Sequence, residues 1–453
     1  MSTEPAQKPN IVFIFVDDLG WMDLSCQGSQ YYETPHIDRL AQQGMRFTDA
    51  YAACTVCSPT RASVMTGKYP ARLHLTDFIG GHAHPWAKLT VPDWTKYLPH
   101  SETTVAQAFK DAGYNTFFVG KWHLGGEEYY PETHGFDVNV GGCHRGRPPT
   151  YFSPYEIETL EDGPENEYLT DRLTDETLRL ITESKDEPFF MFLSHYAVHT
   201  PLEGHPDLVE KYAGKDKHGQ LSETYAAMIE STDRSVGRIM ARLDELDLAD
   251  NTLVVFFSDN GGLIRSTNNA PLRHGKGSGY EGGHRVPLIV RWPGRVPAGT
   301  TCDTPVISND LYPTLLEACG LPARPEQHCD GTSLMPLLTG DSALSRDCLF
   351  WHYPHYHFST PYAAVRKGDY KLIEYMESGR AELYNLADDL GEEHDLAATM
   401  PEKREELQQA LHAWQADVGA QFMTPNPEYD PEKRYVMKRA NRELVQCGRE
   451  DSE

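Results

Sequence analysis

The chain has 453 residues, 39% hydrophobic and 24% charged, which is ordinary for a globular protein and long enough for a large core and more than one domain. A formal net charge of −26 excludes a general nucleic-acid binder, which needs a basic face, and requires any anionic ligand to be met by a local cluster of cations. Nine irregularly spaced cysteines do not make a disulfide framework, and no apolar run approaches the roughly 18 residues of a membrane span, so no membrane partner is expected.

Residues 10–16 (NIVFIFV) form a continuous apolar run ending in Asp17-Asp18, the pattern of a strand covered on both faces in a parallel sheet. Residues 1–9 lack the apolar core of a leader. The expected location is therefore cytoplasmic as the sequence stands, and periplasmic or secreted if a leader has been removed. Thr34-Pro35 opens a helix through Leu40 and Ala41 that stops at Gly44. Cys57-Ser58-Pro59-Thr60-Arg61, extended to Gly67, puts a potential nucleophile at the mouth of another helix, with Pro59 suited to the first turn and Gly67 to the stop. The free N–H groups of such a start suit a tetrahedral oxyanion.

Thr104 with Gln107 reads as the capping box of a helix ending at Gly113, and residues 114–119 as the next strand. Residues 189–193 and 253–258 are further buried-type strands, separated by an amphipathic helix over 222–246, and 286–290 continues the series. Strands alternating with helices predict an α/β fold over residues 1–340: a large, mostly parallel, doubly wound sheet flanked by helices. Beyond it, residues 362–374 and 381–384 alternate polar and apolar, as solvated antiparallel strands do. A helix follows, with Thr399 and Glu402 as a capping box and Leu407, Leu411, Trp414 and Val418 on one face. This predicts a smaller C-terminal α+β domain with an antiparallel sheet over 341–420, then a polar tail over 421–453.

Open α/β sheets bind ligands at the carboxyl ends of their strands. Those ends present Asp17 and Asp18; Gly120-Lys121-Trp122-His123; His195 and His199; and Asp259-Asn260-Gly261-Gly262. A glycine-rich loop carrying Lys276 and the run Glu281-Gly282-Gly283-His284-Arg285 follow. Three carboxylates and an amide make a hard oxygen site that selects Ca²⁺ or Mg²⁺, and without a cation such carboxylates repel one another. Arg61, Lys121, Lys276, His123 and His199 can bind an anion and move protons around it. Singly, each has a plainer reading: a turn at Asp17-Asp18 or Asp259-Asn260, structural histidines, a redox or zinc pair at Cys54 and Cys57. Their joint occurrence, in order and at strand ends, favours a site.

The run from Cys57 to Arg61, followed by Val64-Met65 and Thr66-Gly67, resembles the type I sulfatase signature, C-x-P-x-R with an apolar pair and T-G after it. The stretch Gly113-Tyr114-Asn115-Thr116 through Gly120-Lys121-Trp122-His123-Leu124-Gly125 looks like the second sulfatase signature, and Asp259-Asn260-Gly261-Gly262 and Glu281-Gly282-Gly283-His284-Arg285 are also typical. Thr55 departs from the pattern, where a smaller residue is more usual. The similarity covers about residues 9–340 and implies an arylsulfatase-type member of the alkaline-phosphatase-like superfamily, a sulfuric ester hydrolase acting on a sulfated carbohydrate or aryl sulfate.

The resemblance further implies that a maturation enzyme oxidises Cys57 to formylglycine (3-oxoalanine). Asp17, Asp18, Asp259 and Asn260, with an oxygen of modified Cys57, would bind one Ca²⁺, in preference to Mg²⁺. Arg61 would fix the aldehyde hydrate, Lys121 and Lys276 the sulfate oxygens. His199 would protonate the leaving alcohol, and His123 would serve as base when the covalent sulfated hydrate expels sulfate. A formylglycine phosphodiesterase or phosphonate monoester hydrolase shares these motifs, and a glycan-binding homologue with unmodified Cys57 is the non-catalytic alternative. Residues 351–358 are rich in histidine and aromatics. Arg145, Arg147 and His355 are expected to line the leaving-group subsite, with a packed domain junction as the other reading of the His355 region.

Overall fold

In the computed structural model, which describes residues 8–340, 344, 346–438 and 444–446, the main sheet is built around β1 (Asn10–Val16), all of whose residues are buried. Its other strands are β2 (Met45–Phe47), β3 (Asn115–Gly120), β4 (Val138–Val140), β5 (Phe189–Ser194), β6 (Thr252–Ser258), β7 (Leu288–Arg291) and β8 (Thr300–Cys302). The order is β8-β2-β7-β6-β1-β5-β3-β4. β7 runs antiparallel to both neighbours, and the remaining pairings are parallel. The mostly parallel sheet expected from the sequence is thus present. β7 begins later than the expected 286, because Val286 N donates to Ala50 O and Arg285 bridges to Tyr51.

Helices α1 (Pro35–Gln42), α2 (Cys57–Thr66), α3 (Val105–Asp111), α4 (Leu169–Glu183), α5 (Glu223–Glu245) and α6 (Leu311–Ala318) flank the sheet. One packed group contains α1, α4 and α5, and another contains α2, α3 and α6. Ser222 caps α5 by accepting from Tyr225 N at 3.1 Å. Thr104 accepts from Gln107 N, but the Gln107 amide donates to Asp111 instead of returning to the cap, so only half of that expected box is made. The start of α1 is capped from outside: Asp233 of α5 accepts from the N–H groups of His36 and Ile37.

The second sheet is antiparallel in chain order: β9 (Cys348–Tyr353), β10 (Tyr362–Lys367), β11 (Tyr370–Tyr375) and β12 (Ala381–Asn385). The expected segment 362–374 is a hairpin broken at Gly368. Helix α7 (Pro401–Asp417) packs on the sheet through Leu407 and Leu411. The Thr399–Glu402 box does not form. The helix starts at Pro401 after an uncapped Met400, and Thr399 Oγ1 donates to Leu396 O. Tyr51, Cys54, Val56, Tyr69 and Tyr280 share the core of this sheet, so it closes against the segment leading into α2. Within the expected tail, Thr424–Pro425 pairs with Leu89–Thr90. Residues 439–443 and 447–453 lie outside the described residues. Among the described residues no helix is long and apolar enough to cross a membrane, and no disulfide is present.

Candidate active site

Because β6, β1, β5 and β3 are consecutive and parallel, their carboxyl ends deliver Asp259-Asn260, Asp17-Asp18, Ser194 and Lys121 side by side. Gly120 makes the β3–β5 approach possible. It has φ +102°, and a Cβ there would sit 1.9 Å from Ser194 O. Lys121 N then donates to Ser194 O at 2.7 Å. Asp18 and His123 are non-glycine residues held at φ +60° and +57°, strain that the surrounding structure holds in place at this site.

Helix α2 brings the second half of the site. Val56 is extended, Cys57 opens the helix, and Gly67 at φ +69° ends it; every residue between is buried. Arg61, one turn in, has four of its N–H donors committed. Nε and Nη2 donate to Asp259 Oδ2 at 3.0 and 2.7 Å, and Nη1 donates to Lys121 O at 2.9 Å and Ser194 Oγ at 2.6 Å. Its guanidinium also lies over the Phe15 ring at 4.9 Å. Ser194 closes the arrangement by donating to Lys121 O at 2.7 Å. Sequence reasoning passed over Ser194, because a serine at a strand end carries no signal until the neighbouring strand is known.

Lys121 Nζ donates to Asp17 Oδ2 at 2.6 Å, and Lys276 Nζ to Asp18 Oδ1 at 2.5 Å. Asn260 Nδ2 donates to the same Asp18 oxygen at 2.8 Å, and Asp18 N to Asp259 Oδ1 at 3.1 Å. Burial, with the charge of Asp259, pushes the Asp17 carboxyl well above the usual range. Burial acts in the same sense on Asp18 and Asp259, but Lys276 for Asp18 and Arg61 for Asp259 outweigh it and hold both low. Burial works against the Lys276 charge, and Asp18 outweighs it, so the ammonium is held above its ordinary value.

Two oxygens in this crowd, Asp17 Oδ1 and Asn260 Oδ1, are buried and have no hydrogen-bond partner. Buried acceptors are normally satisfied, so this pair requires a reason. Oxygen donors from three carboxylates and an amide fit a hard divalent cation. One ligand atom from each of Asp17, Asp18 and His199 also lies within 4.8 Å of the other two.

Cys57 Sγ lies 3.2 Å from His123 Nδ1. On its other side the ring faces Ile79 O, with Nε2 at 2.9 Å. A carbonyl can only accept, so Nε2 carries the proton and Nδ1 turns a lone pair towards position 57. Ser58 Oγ fixes the same loop, donating to His123 O at 2.9 Å and accepting from Ile79 N at 3.0 Å. Burial and the charge of Lys121 push the His123 pKa well down. His199 has the opposite tautomer: Nδ1 donates to Thr200 O at 2.8 Å, leaving Nε2 3.7 Å from Asp18 Oδ2. Burial, then Lys276, pushes its pKa down to about 3.

The Sulfatase family model matches residues 9–321, and the model described as N-sulphoglucosamine sulphohydrolase, C-terminal, matches 274–419. The chain belongs to the sulfatase family. A sulfatase of Formosa agariphila is 34% identical, with 95% of this chain and 94% of the relative covered. The N-acetylgalactosamine-6-sulfatase of Canis lupus familiaris is 33% identical over 81% of this chain and 71% of its own. The crystal structure of Ps i-CgsB in complex with k-i-k-neocarrahexaose has 31% identity and a TM-score of 0.78, covering 93% of this chain and 95% of that one.

In this sulfatase the three expected subsite residues differ in their surroundings. Arg145 and Arg147 flank Gly146, which packs on the His123 ring so tightly that a Cβ would lie 2.4 Å from Cε1. His355 is only 2% exposed; its Nε2 is 2.8 Å from Thr76 Oγ1, and its ring meets Trp94 edge-on. Its ring also meets Tyr353, and its Nδ1 lies 3.8 Å from Asp77 Oδ2. His195 is also buried and bonded to Ser235 behind the site. The loop Asp77–Ile79, which orients His123, gave no sequence signal.

Proposed function

We propose that the chain hydrolyses sulfate esters of saccharides, using formylglycine at position 57 and one Ca²⁺ seated by Asp17, Asp18, Asp259 and Asn260, after a maturation enzyme has oxidised Cys57. One observation carries the reading. A buried cysteine at a helix start, 3.2 Å from an imidazole lone pair, faces a carboxylate cradle with two unpartnered oxygens. The saccharide class is drawn from what the relatives are named for.

In this reading formylglycine supplies a hydrate hydroxyl as nucleophile, and Ca²⁺ neutralises charge on the sulfate oxygens. The ammonium groups of Lys121 and Lys276 hold the anion from two sides. His123 takes a proton from position 57 at Nδ1, because Nε2–H is committed to Ile79 O. His199 delivers a proton to the leaving oxygen from Nε2, because Nδ1–H is committed to Thr200 O. Its low pKa requires the negative charge of the bound substrate before that atom is protonated. Arg61 keeps the Asp259 carboxylate in place, and the burial of these groups excludes water.

The test is the mass of the peptide containing Cys57, followed by parallel assays of an aryl sulfate and an aryl phosphodiester. The expected outcome is a modified peptide, faster sulfate turnover, and a loss of about 10⁴-fold or more in Cys57→Ala. An unmodified thiol in active material, or phosphodiester turnover equal to or above that of the sulfate, overturns the reading.

A further inference from the structure

Among the described residues, two clusters bring three possible metal ligands within 4.8 Å of one another. One is Asp17, Asp18 and His199 at the strand ends; the other is Cys143, His144 and Glu158, outside the carboxylate cradle. Adjacent residues of a strand point to opposite faces. Cys143 and His144 converge because the chain leaves β4 through an irregular turn, where Gly141 takes φ +81°. Asn139 holds the turn, accepting from Gly142 N and donating to Gly142 O, each at 2.9 Å. Gly141 N donates to Thr159 O at 2.9 Å, and Thr159 Oγ1 to Gly142 O at 3.3 Å. These bonds stitch the turn to the segment that carries Glu158.

His144 Nδ1 lies 3.1 Å from Glu158 Oε1 and 3.2 Å from Tyr130 Oη, which donates to the same carboxylate. His144 and Glu158 are half-exposed, which gives an ion a way in, and Cys143 is fully buried behind them. Thiolate, imidazole and carboxylate are the donors of Zn²⁺ and its transition-metal neighbours, whereas Ca²⁺ takes oxygen. A tetrahedral zinc ion holds its ligand atoms about 3.3–3.7 Å apart, so seating one takes a closure of about 1 Å, with water as fourth ligand. Burial pushes the Cys143 thiol up, against the pull of the Arg145 N–H and the Tyr196 hydroxyl, so the metal displaces the thiol proton as it binds. The Arg145 charge acts on both Cys143 and Glu158 and offsets part of their attraction for a dication, which suits a reversible site.

The same turn mounts His123. Cys143 O accepts from His123 N at 3.1 Å, and Gly146 packs on the His123 ring. We propose that Cys143, His144 and Glu158 form a reversible site for a transition-metal dication of the Zn²⁺ class, separate from the strand-end cradle, and that its occupation inhibits the enzyme by shifting the turn that holds His123. The metal site goes beyond the sulfatase reading; only its effect on turnover rests on it.

The experiment uses the full chain with its modification at position 57 verified, so that no thiol remains beside His123, and saturating Ca²⁺ to fill the cradle. Co²⁺ serves as the coloured probe. In wild type about one equivalent is expected to give a near-ultraviolet thiolate-to-cobalt band that Zn²⁺ abolishes, and Zn²⁺ is expected to lower kcat on an aryl sulfate. His144→Ala and Glu158→Gln change half-exposed side chains and should fold; each is expected to need about 10- to 100-fold more Co²⁺ for the band and more Zn²⁺ for inhibition. Cys143→Ser is expected to abolish the band. No band in wild type, or a band unchanged in His144→Ala and Cys143→Ser, overturns the site. Zn²⁺ inhibition that is equal in wild type and His144→Ala overturns the coupling to His123. A band that responds as expected in modified protein that turns over no aryl sulfate supports the site and counts against the sulfatase reading.

Discussion

Two buried charge networks lie in this chain, each built from three carboxylates and three cations. At the strand ends are Asp17, Asp18 and Asp259 with Arg61, Lys121 and Lys276. At the junction of the two sheets are Asp49, Glu281 and Glu392 with Arg285, Arg366 and Lys371. In the junction every carboxylate oxygen has a cation or a hydrogen-bond donor within 3.2 Å, Glu392 Oε1 through the Lys371 charge without a hydrogen bond. Asp49 is held by Arg366 and Arg285; Glu281 by Lys371, Arg285 and Tyr51; Glu392 by Lys371 and the Glu281 N–H. At the strand ends Asp17 Oδ1 has only the Arg61 guanidinium, at 3.8 Å, and Asn260 Oδ1 has no hydrogen-bond partner. Equal numbers of charges therefore differ in kind: the closed network ties one sheet to the other, and the open one would be the seat of the proposed cation.

The largest effect should come from the seat. Asp17→Asn is expected to lower kcat by about 10²–10³-fold, the cost of losing one preorganised electrostatic contact. It should also remove the rise in Tm expected from the proposed Ca²⁺ in the wild type, which at 100 times Kd corresponds to about 2.7 kcal/mol. In chelator-treated protein the same variant should be no less stable than wild type, since burial already opposes ionisation of Asp17. A Ca²⁺-dependent rise in Tm retained by the variant would show that the seat lies elsewhere.

Next is the closed network. Lys371→Met leaves Glu281 and Glu392 buried without their shared cation and should cost about 3–5 kcal/mol in urea unfolding. The variant should keep its dependence on Ca²⁺ for whatever activity survives. Loss of that dependence with little change in stability would mean that the two networks are not separate.

The contrast also marks what the sequence made legible. The strands that carry the site are continuous apolar runs, so their ends could be located, and Asp17, Asp18, Lys121, Asp259 and Asn260 stood just beyond them. Cys57 and Arg61 were legible because helix start and stop signals are local. The junction was not. Glu281 meets Lys371 across 90 positions, and strand β9, which carries Trp351, reads as a His- and aromatic-rich run until His284 is found stacked on that tryptophan at 4.8 Å. Such pairings depend on how the second sheet docks, which no local pattern encodes. The same reason hid Ser194 and the Asp77–Ile79 loop.

The smallest effect concerns that loop, which joins the two regions. Asp77 Oδ1 accepts from Tyr353 Oη of β9 at 2.8 Å and from Phe78 N at 2.9 Å, and Ile79 O then orients His123. Burial pushes the Asp77 carboxyl up to about 8, although the bonds from Tyr353 and Phe78 pull the other way. The native state thus holds a proton there that the unfolded chain, with an aspartate pKa near 4, has already released. Between about pH 4 and pH 8 stability falls as pH rises, the opposite of the usual salt-bridged carboxylate. Asp77→Asn keeps an acceptor for both donors but cannot ionise, so it should flatten the decline of Tm across that window and change kcat little at low pH. An unchanged slope in the variant would place the titrating proton on another group and remove the second sheet from the control of His123.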